Sequence, residues 1–115
     1  MSTTNNHISY IELKSHNIEA TKNFYTHAFY WAFTDFGTSY TSFKESGLAG
    51  GFELSEEPIS NGVLVVLYHS NLEEIKNSIV NLGGTISKNI FAFPGGKRFH
   101  FIDPSGNELA IWSDQ

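Results

Sequence analysis

The stretch Leu13–Asn23 recurs 54 residues later as Leu67–Asn77. Leu13/Leu67, Asn17/Asn71, Glu19/Glu73, Lys22/Lys76 and Asn23/Asn77 are identical, and Ile18/Leu72 are both aliphatic. Five identities in eleven ungapped positions are hard to attribute to chance in a chain of 115 residues. Such an echo is the mark of one supersecondary unit built twice. A duplicated unit tends to set equivalent residues face to face, so a site is expected between the two copies.

Both copies read alike. Ile8–Lys14 is rich in β-formers and reads as a strand. Asn17 is a good N-cap, and Glu19 lies in the first turn at the positive end of the helix dipole. Ile18, Thr21, Phe24/Tyr25 and Ala28/Phe29 then recur at helical spacing. Trp31–Phe36, Thr38–Phe43 and Gly50–Leu54 read as strands, and Glu56–Asn61 as a linker. In the second copy Val63–Tyr68 is an apolar strand expected to be buried on both faces. Asn71 caps a helix with the stripe Leu72, Ile75, Ile79 and Leu82, and Gly83-Gly84 ends it. Thr85–Ser87 is a short strand, Phe93-Pro94-Gly95-Gly96 a loop and Arg98–Ile102 a strand. Asp103-Pro104-Ser105-Gly106-Asn107 is a turn, because Pro presets φ and Gly supplies a positive φ. Glu108–Trp112 is the last strand. The expected architecture is α+β: two tandem β-α-β-β-β units, about 7–55 and 62–113. They are expected to form one curved, mixed eight-strand sheet around a cup, with the helices on its outer face.

Several function classes drop out. The net charge is −5, from 7 basic and 12 acidic residues, with no Lys/Arg patch, which argues against a nucleic-acid partner. A cationic small molecule suits this charge better than a polyanion. The absence of cysteine excludes disulfides, thiol catalysis and Cys-type metal sites, and it fits the cytoplasm. Met1–Asn6 is polar and has no apolar core of a signal peptide. The longest apolar run is far below the roughly 18–20 residues that a membrane span needs. No Ser-His-Asp order or nucleophile elbow is present. Aromatic residues make up 15% of the chain, enough for either a thick core or an aromatic-lined cavity.

The tandem units, Asn17…Phe24-Tyr25, Asn71…Leu82-Gly83-Gly84, and Asp103-Pro104-Ser105-Gly106-Asn107 before a strand together resemble the vicinal oxygen chelate superfamily. That group includes glyoxalase I, extradiol dioxygenases and the fosfomycin- and bleomycin-resistance proteins. The segment from Gly95 to Ser113 is similar to a subgroup of small glyoxalase-like proteins related to lactoylglutathione lyase. Tyr30 departs from the pattern, since many members have Gly after the first helix. The resemblance implies a divalent-ion site with ligands from the first and last strands of each unit. Its positions fall here on Tyr10, Leu64 and Ala110. Laying Ala49–Ser55 on Gly106–Trp112 puts Glu53 opposite Ala110. One carboxylate, one phenol, one Leu and one Ala fall short of the three or four N, O or S ligands such ions need. No metal and no other cofactor is therefore expected.

Glu53 is the sharpest candidate, as a general base or an anchor, against an edge-strand Glu facing water. Glu12 shares strand parity with Tyr10 and could pair with Glu53, or it could be a surface residue. Among His7, His16, His27, His69 and His100, the best candidate is His100, beside the Asp103 turn. A structural role competes with that reading. Arg98 could clamp a ligand carboxylate or be a solvated loop residue; Gly95-Gly96-Lys97-Arg98 lacks a phosphate-loop frame. Tyr10, Trp31, Tyr68 and Trp112 could line the cup and stack flat or cationic molecules, or simply fill space.

The expected function is that of a metal-independent small-molecule binding protein of the glyoxalase/bleomycin-resistance type, with a cationic or aromatic ligand. The resemblance also implies a homodimer. The rival is a glyoxalase-like lyase or isomerase acting on a small carbonyl compound, with an unusual metal site or Glu53 as base. A non-catalytic partner subunit is a third reading.

Overall fold

A computed structural model describes residues 4–115; of the polar N-terminal segment, Met1–Thr3 lie outside the described residues. The chain divides into two compact units, with the boundary between Pro58 and Ile59. Each is a β-α-β-β-β module.

In the first unit, β1 (Ile11–Ser15) leads into α1 (Ile18–Phe29), followed by β2 (Ala32–Asp35), β3 (Tyr40–Lys44) and β4 (Gly50–Leu54). The strands form one sheet in the order β1-β4-β3-β2, parallel between β1 and β4 and antiparallel elsewhere. The Asn17 side chain accepts from Ala20 N–H at 3.0 Å, as its capping chemistry predicts. The Ser15 hydroxyl accepts from Asn17 N–H at 3.1 Å and meets the Thr21 hydroxyl at 2.7 Å, tying the strand end to the helix. The α1 stripe buries Phe24 and Tyr25 on one face of the sheet. Tyr25 lies 5.1 Å from Phe52 between ring centres, and Phe52 lies 5.4 Å from Phe43. Tyr30 closes α1 in the left-handed region (φ 61, ψ 30), where Gly is the usual occupant, and its N–H reaches Thr26 C=O at 2.9 Å.

The second unit repeats the plan with β5 (Val65–Tyr68), α2 (Leu72–Asn81), β6 (Thr85–Phe93), β7 (Gly96–Ile102) and β8 (Glu108–Ser113). Its sheet runs β5-β8-β7-β6, again with only the first pair parallel. Asn71 caps α2 through Glu74 N–H at 3.1 Å. Leu72, Ile75 and Ile79 of α2 are buried, as are Phe99, Phe101, Leu109 and Ile111 on the helix side of the sheet. The Asp103 turn is a cage. Asp103 Oδ1 accepts from the N–H of Ser105, Gly106 and Asn107, each at 2.9 Å, and Oδ2 accepts from Asn107 Nδ2 at 3.0 Å. Asn61 clips that turn in place, donating to Gly106 C=O and accepting from Glu108 N–H, both at 3.0 Å.

Three expectations need correction. The strands hydrogen-bond as two four-stranded sheets rather than one of eight. β5 is an edge strand with one face uncovered by α2, so Val66 and Tyr68 stay exposed instead of being buried on both faces. β6 runs on to Phe93, well past Ser87, because β-bulges near Lys88 absorb the polar Lys88-Asn89 step without ending the pairing. The Phe93–Gly96 loop is thereby reduced to a tight turn at Pro94-Gly95.

Candidate functional site

Strand alternation sends every second residue of each sheet away from its helix. In the first unit, the register Glu12↔Gly51↔Ser42 and Lys14↔Glu53↔Tyr40 puts these residues on the face opposite α1. Tyr10 joins them by parity, just before β1. The Tyr40 hydroxyl donates to Glu12 Oε1 at 3.1 Å and meets the Tyr10 hydroxyl at 2.5 Å. Since the one Tyr40 O–H is donated to the carboxylate, Tyr10 is the donor between the two phenols. Burial first, and then the hydrogen bonds to Tyr10 and Glu12, push the Tyr40 phenol above its ordinary value. The phenol pair sits directly over Gly51, where a Cβ would approach both oxygens closer than 3.0 Å. Lys14 Nζ pairs with Glu53 Oε1, and that contact is the main reason the Lys14 ammonium is held above its usual value.

These contacts bear on the carboxylate candidates. Glu53 lies on the expected face, but it is half-exposed and engaged by Lys14. Glu12 and Glu53 each have their own partner, Tyr40 and Lys14, rather than sharing a proton.

In the second unit, Val66↔Ala110↔His100 and Tyr68↔Trp112↔Arg98 form the equivalent rows on the face opposite α2. The Arg98 guanidinium lies 5.2 Å from the ring centre of Phe91 and 5.5 Å from that of Phe93. Phe93 is 6.5 Å from Trp112, and Trp112 is 5.1 Å from Tyr68. The Tyr68 hydroxyl donates to Asp114 at 2.7 Å, which raises its phenol and holds the Asp114 carboxyl below the ordinary range. His100 is 5% exposed, and its Nδ1 lies 3.2 Å from Glu108 Oε2, which also accepts from the Ser87 hydroxyl at 3.0 Å. A carboxylate only accepts, so Nδ1 carries a proton. His100 Nε2 and Arg98 Nε are buried with no hydrogen-bond partner among the described residues.

The register also settles the repeat alignment. The offset that matches Glu12 to Val66 pairs Gly51 with Ala110 and Glu53 with Trp112. Glu53 is therefore not the counterpart of Ala110. The positions implied for a divalent ion become Tyr10, Gly51, Leu64 and Ala110, which offer a single phenol oxygen, and this set does not fit such an ion. Among the described residues no three His, Asp or Glu side chains converge elsewhere.

Trp31 is corrected as well. It is 6% exposed and stacks on Tyr25 at 4.8 Å and on Phe43 at 4.6 Å, on the helix side of the first sheet. It belongs to the core. The left-handed residue before it turns the chain so that Trp31 points under α1. His16, His27 and His69 serve local structure, against Glu57 C=O, Asn23 C=O and Asn71 N–H respectively.

Sequence reasoning passed over Tyr40, Lys14, Phe91, Phe93 and Glu108. Tyr40 had a signal, because Gly inside a strand marks the close approach of another group. Phe91 and Phe93 had none, since the bulges in β6 break the alternation that would have placed them. Two grooves lie apart from these faces. One of about 410 Å³ is lined by His16, Asn17, Glu19, Asp35 and Thr38, and one of about 290 Å³ by Asn71, Glu73, Lys97 and Gln115. No candidate residue lines either. Among the described residues no helix is long and apolar enough to cross a membrane.

No family model and no curated relative matches the chain. Solved structures do. A glyoxalase/bleomycin resistance protein/dioxygenase family enzyme from Burkholderia phytofirmans superposes with a TM-score of 0.82 at 14% identity, over 93% of this chain and 98% of its own. A glyoxalase-related enzyme from Fulvimarina pelagi gives 0.80 at 19% identity, over 94% and 88%. A lactoylglutathione lyase from Agrobacterium tumefaciens gives 0.73 at 15% identity, over 96% of each chain. At these identities the likeness establishes the fold, and it is the fold that the paired units resemble.

Proposed function

We propose that this chain, which has the paired β-α-β-β-β fold of the glyoxalase/bleomycin-resistance/dioxygenase structures, is a metal-independent small-molecule binding protein. The carrying observation is the residue set at the four positions where the superfamily resemblance implies ion ligands. Tyr10, Gly51, Leu64 and Ala110 lack the donors for a divalent ion, while the same two sheet faces carry half-buried aromatic and ionisable side chains. The ligand-facing residues in this reading are Tyr10, Glu12 and Tyr40 in the first unit, and Tyr68, Arg98, His100 and Trp112 in the second. The ligand is a small, flat organic molecule. The reading extends to a cytoplasmic homodimer without a cofactor; sedimentation of the purified protein tests the dimer.

Metal analysis of untagged, natively purified protein is the direct test, with melts recorded before and after adding zinc, nickel, manganese or iron(II). The expected result is no stoichiometric metal and no ion-dependent rise in the melting temperature. One tightly held equivalent of metal would overturn the reading. The enzyme alternative with Glu53 as base is the weaker one, because Lys14 already engages that carboxylate.

A further inference from the structure

We infer that the face of the second sheet opposite α2 is a binding site for a small aromatic carboxylate, with Arg98 as its anion-recognising group and His100 beside it. The inference rests on the small-molecule reading above and gives that reading a ligand class. It reverses the charge that the composition suggests: the chain is net negative at −5, yet on this face Glu108 and Asp114 are engaged by His100 and Tyr68, and neither pairs with Arg98.

Three observations converge. Among the described residues no carboxylate pairs with Arg98, and its Nε is buried without an acceptor. His100 stands two residues further along the same strand and therefore on the same face, and its Nε2 is also buried and unpartnered. Glu108 meets the opposite side of the imidazole, at Nδ1, and is occupied there by His100 and Ser87. It fixes the ring so that Nε2 points away from the acid. With the proton on Nδ1, Nε2 is an acceptor and is free to take a hydrogen bond from a donor on the ligand beside the guanidinium. Lys88, across from His100 on β6, is exposed and adds positive charge to this row.

The remaining residues define the rest of the ligand. Ala110, paired with His100 across β8, leaves the floor beside the imidazole low. Trp112 and Tyr68 stand edge to face in the next row, 5.1 Å apart, and offer apolar surface to a ring. Phe91 and Phe93 flank the guanidinium, lowering its contact with water and strengthening any charge-assisted hydrogen bond it makes. An orphaned buried donor costs free energy until an acceptor arrives, and a carboxylate, which makes charge-assisted bonds to the guanidinium through two oxygens, gains more here than a neutral amide with one.

The test uses the full chain, with benzoate, its neutral isostere benzamide and the cation benzylamine as probes. The readout is the pair of indole N–H resonances in ¹H–¹⁵N spectra. Trp112 reports on the face, and Trp31, buried in the first unit, is the internal control. Benzoate is expected to shift the Trp112 resonance saturably and leave Trp31 unmoved, with benzamide weaker by about tenfold or more. Arg98→Gln should remove that preference, and Arg98→Lys, which keeps the charge, should retain part of it. A melt of each variant confirms folding. Equal binding of benzoate and benzamide, benzoate binding unchanged in Arg98→Gln, or no shift of Trp112 would each overturn the inference. Binding of benzylamine alone would overturn it too, yet leave the small-molecule reading standing. A stoichiometric metal would instead remove that reading at its base.

Discussion

Replacing Tyr30 with glycine should stabilise the protein. Tyr30 holds the left-handed conformation at the end of α1 with φ 61 and ψ 30. A side chain with a Cβ pays about 1–2 kcal/mol to stay there. Its ring is 83% exposed, so little apolar burial is lost on truncation. The N–H bond to Thr26 C=O is a main-chain contact and survives the change. Glycine's extra freedom in the unfolded chain takes back about 0.4–1 kcal/mol. The net expectation is a gain of about 0.5–1 kcal/mol. Urea denaturation followed by circular dichroism should show a higher midpoint with an unchanged slope. Tyr30→Ala is the control, because it removes the same ring and keeps the strained φ; it should give no gain. A Gly variant no more stable than wild type, or an Ala variant that gains as much as Gly, would refute the argument from backbone conformation.

Gly50→Ala should destabilise by about 3 kcal/mol or more and Gly51→Ala by about 1–3 kcal/mol, measured by urea denaturation. The first new methyl meets the Ile11 carbonyl, which cannot yield, and the second meets the movable Tyr40 and Tyr10 hydroxyls. Asp103→Ala should cost about 3–5 kcal/mol by the same measurement, since three N–H groups lose their shared acceptor, and Asp103→Asn should cost less. Lys22→Met should flatten the acid limb of a stability–pH curve. Lys22 hydrogen-bonds to Asp35 and lowers its carboxyl below 3.8, so this pair's contribution is present above that pH and lost as pH falls through the depressed folded value.

The repeat, the two helices and the Asp103 turn were legible because each rests on local chemistry. A cap such as Asn17 or Asn71 needs only a side-chain oxygen three residues before a free N–H. The sheet division was not legible, because which strand edges stay unpaired is decided by contacts remote in sequence. The Glu53 alignment failed for a related reason. It laid Ala49 on the turn glycine Gly106, whereas the register sets Gly47 there, which shares its positive φ; Gly50-Gly51 sits inside β4, where small residues admit Ile11 C=O and the two phenols. Trp31 read as a strand aromatic, whereas its direction is set by the left-handed Tyr30 before it. The Arg98–His100 row was half legible. Both residues stood out by type, but the aromatic flank from β6 depends on bulges, and the missing partners are a property of three dimensions.

The alternation along these strands also has a bearing on how such a chain can change. Leu13, Thr41 and Phe52 belong to the layer under α1, while Glu12, Ser42 and Gly51 belong to the opposite surface. Replacing an outward residue other than the crowded Gly51 leaves the packed layer as it was. On the small-molecule reading proposed above, foldability and specificity are therefore written in alternate letters of the same strands, and they can drift separately. A library randomised at Glu12, Lys14, Glu53, Tyr68 and Trp112 would keep most members folded while its range of captured molecules widened.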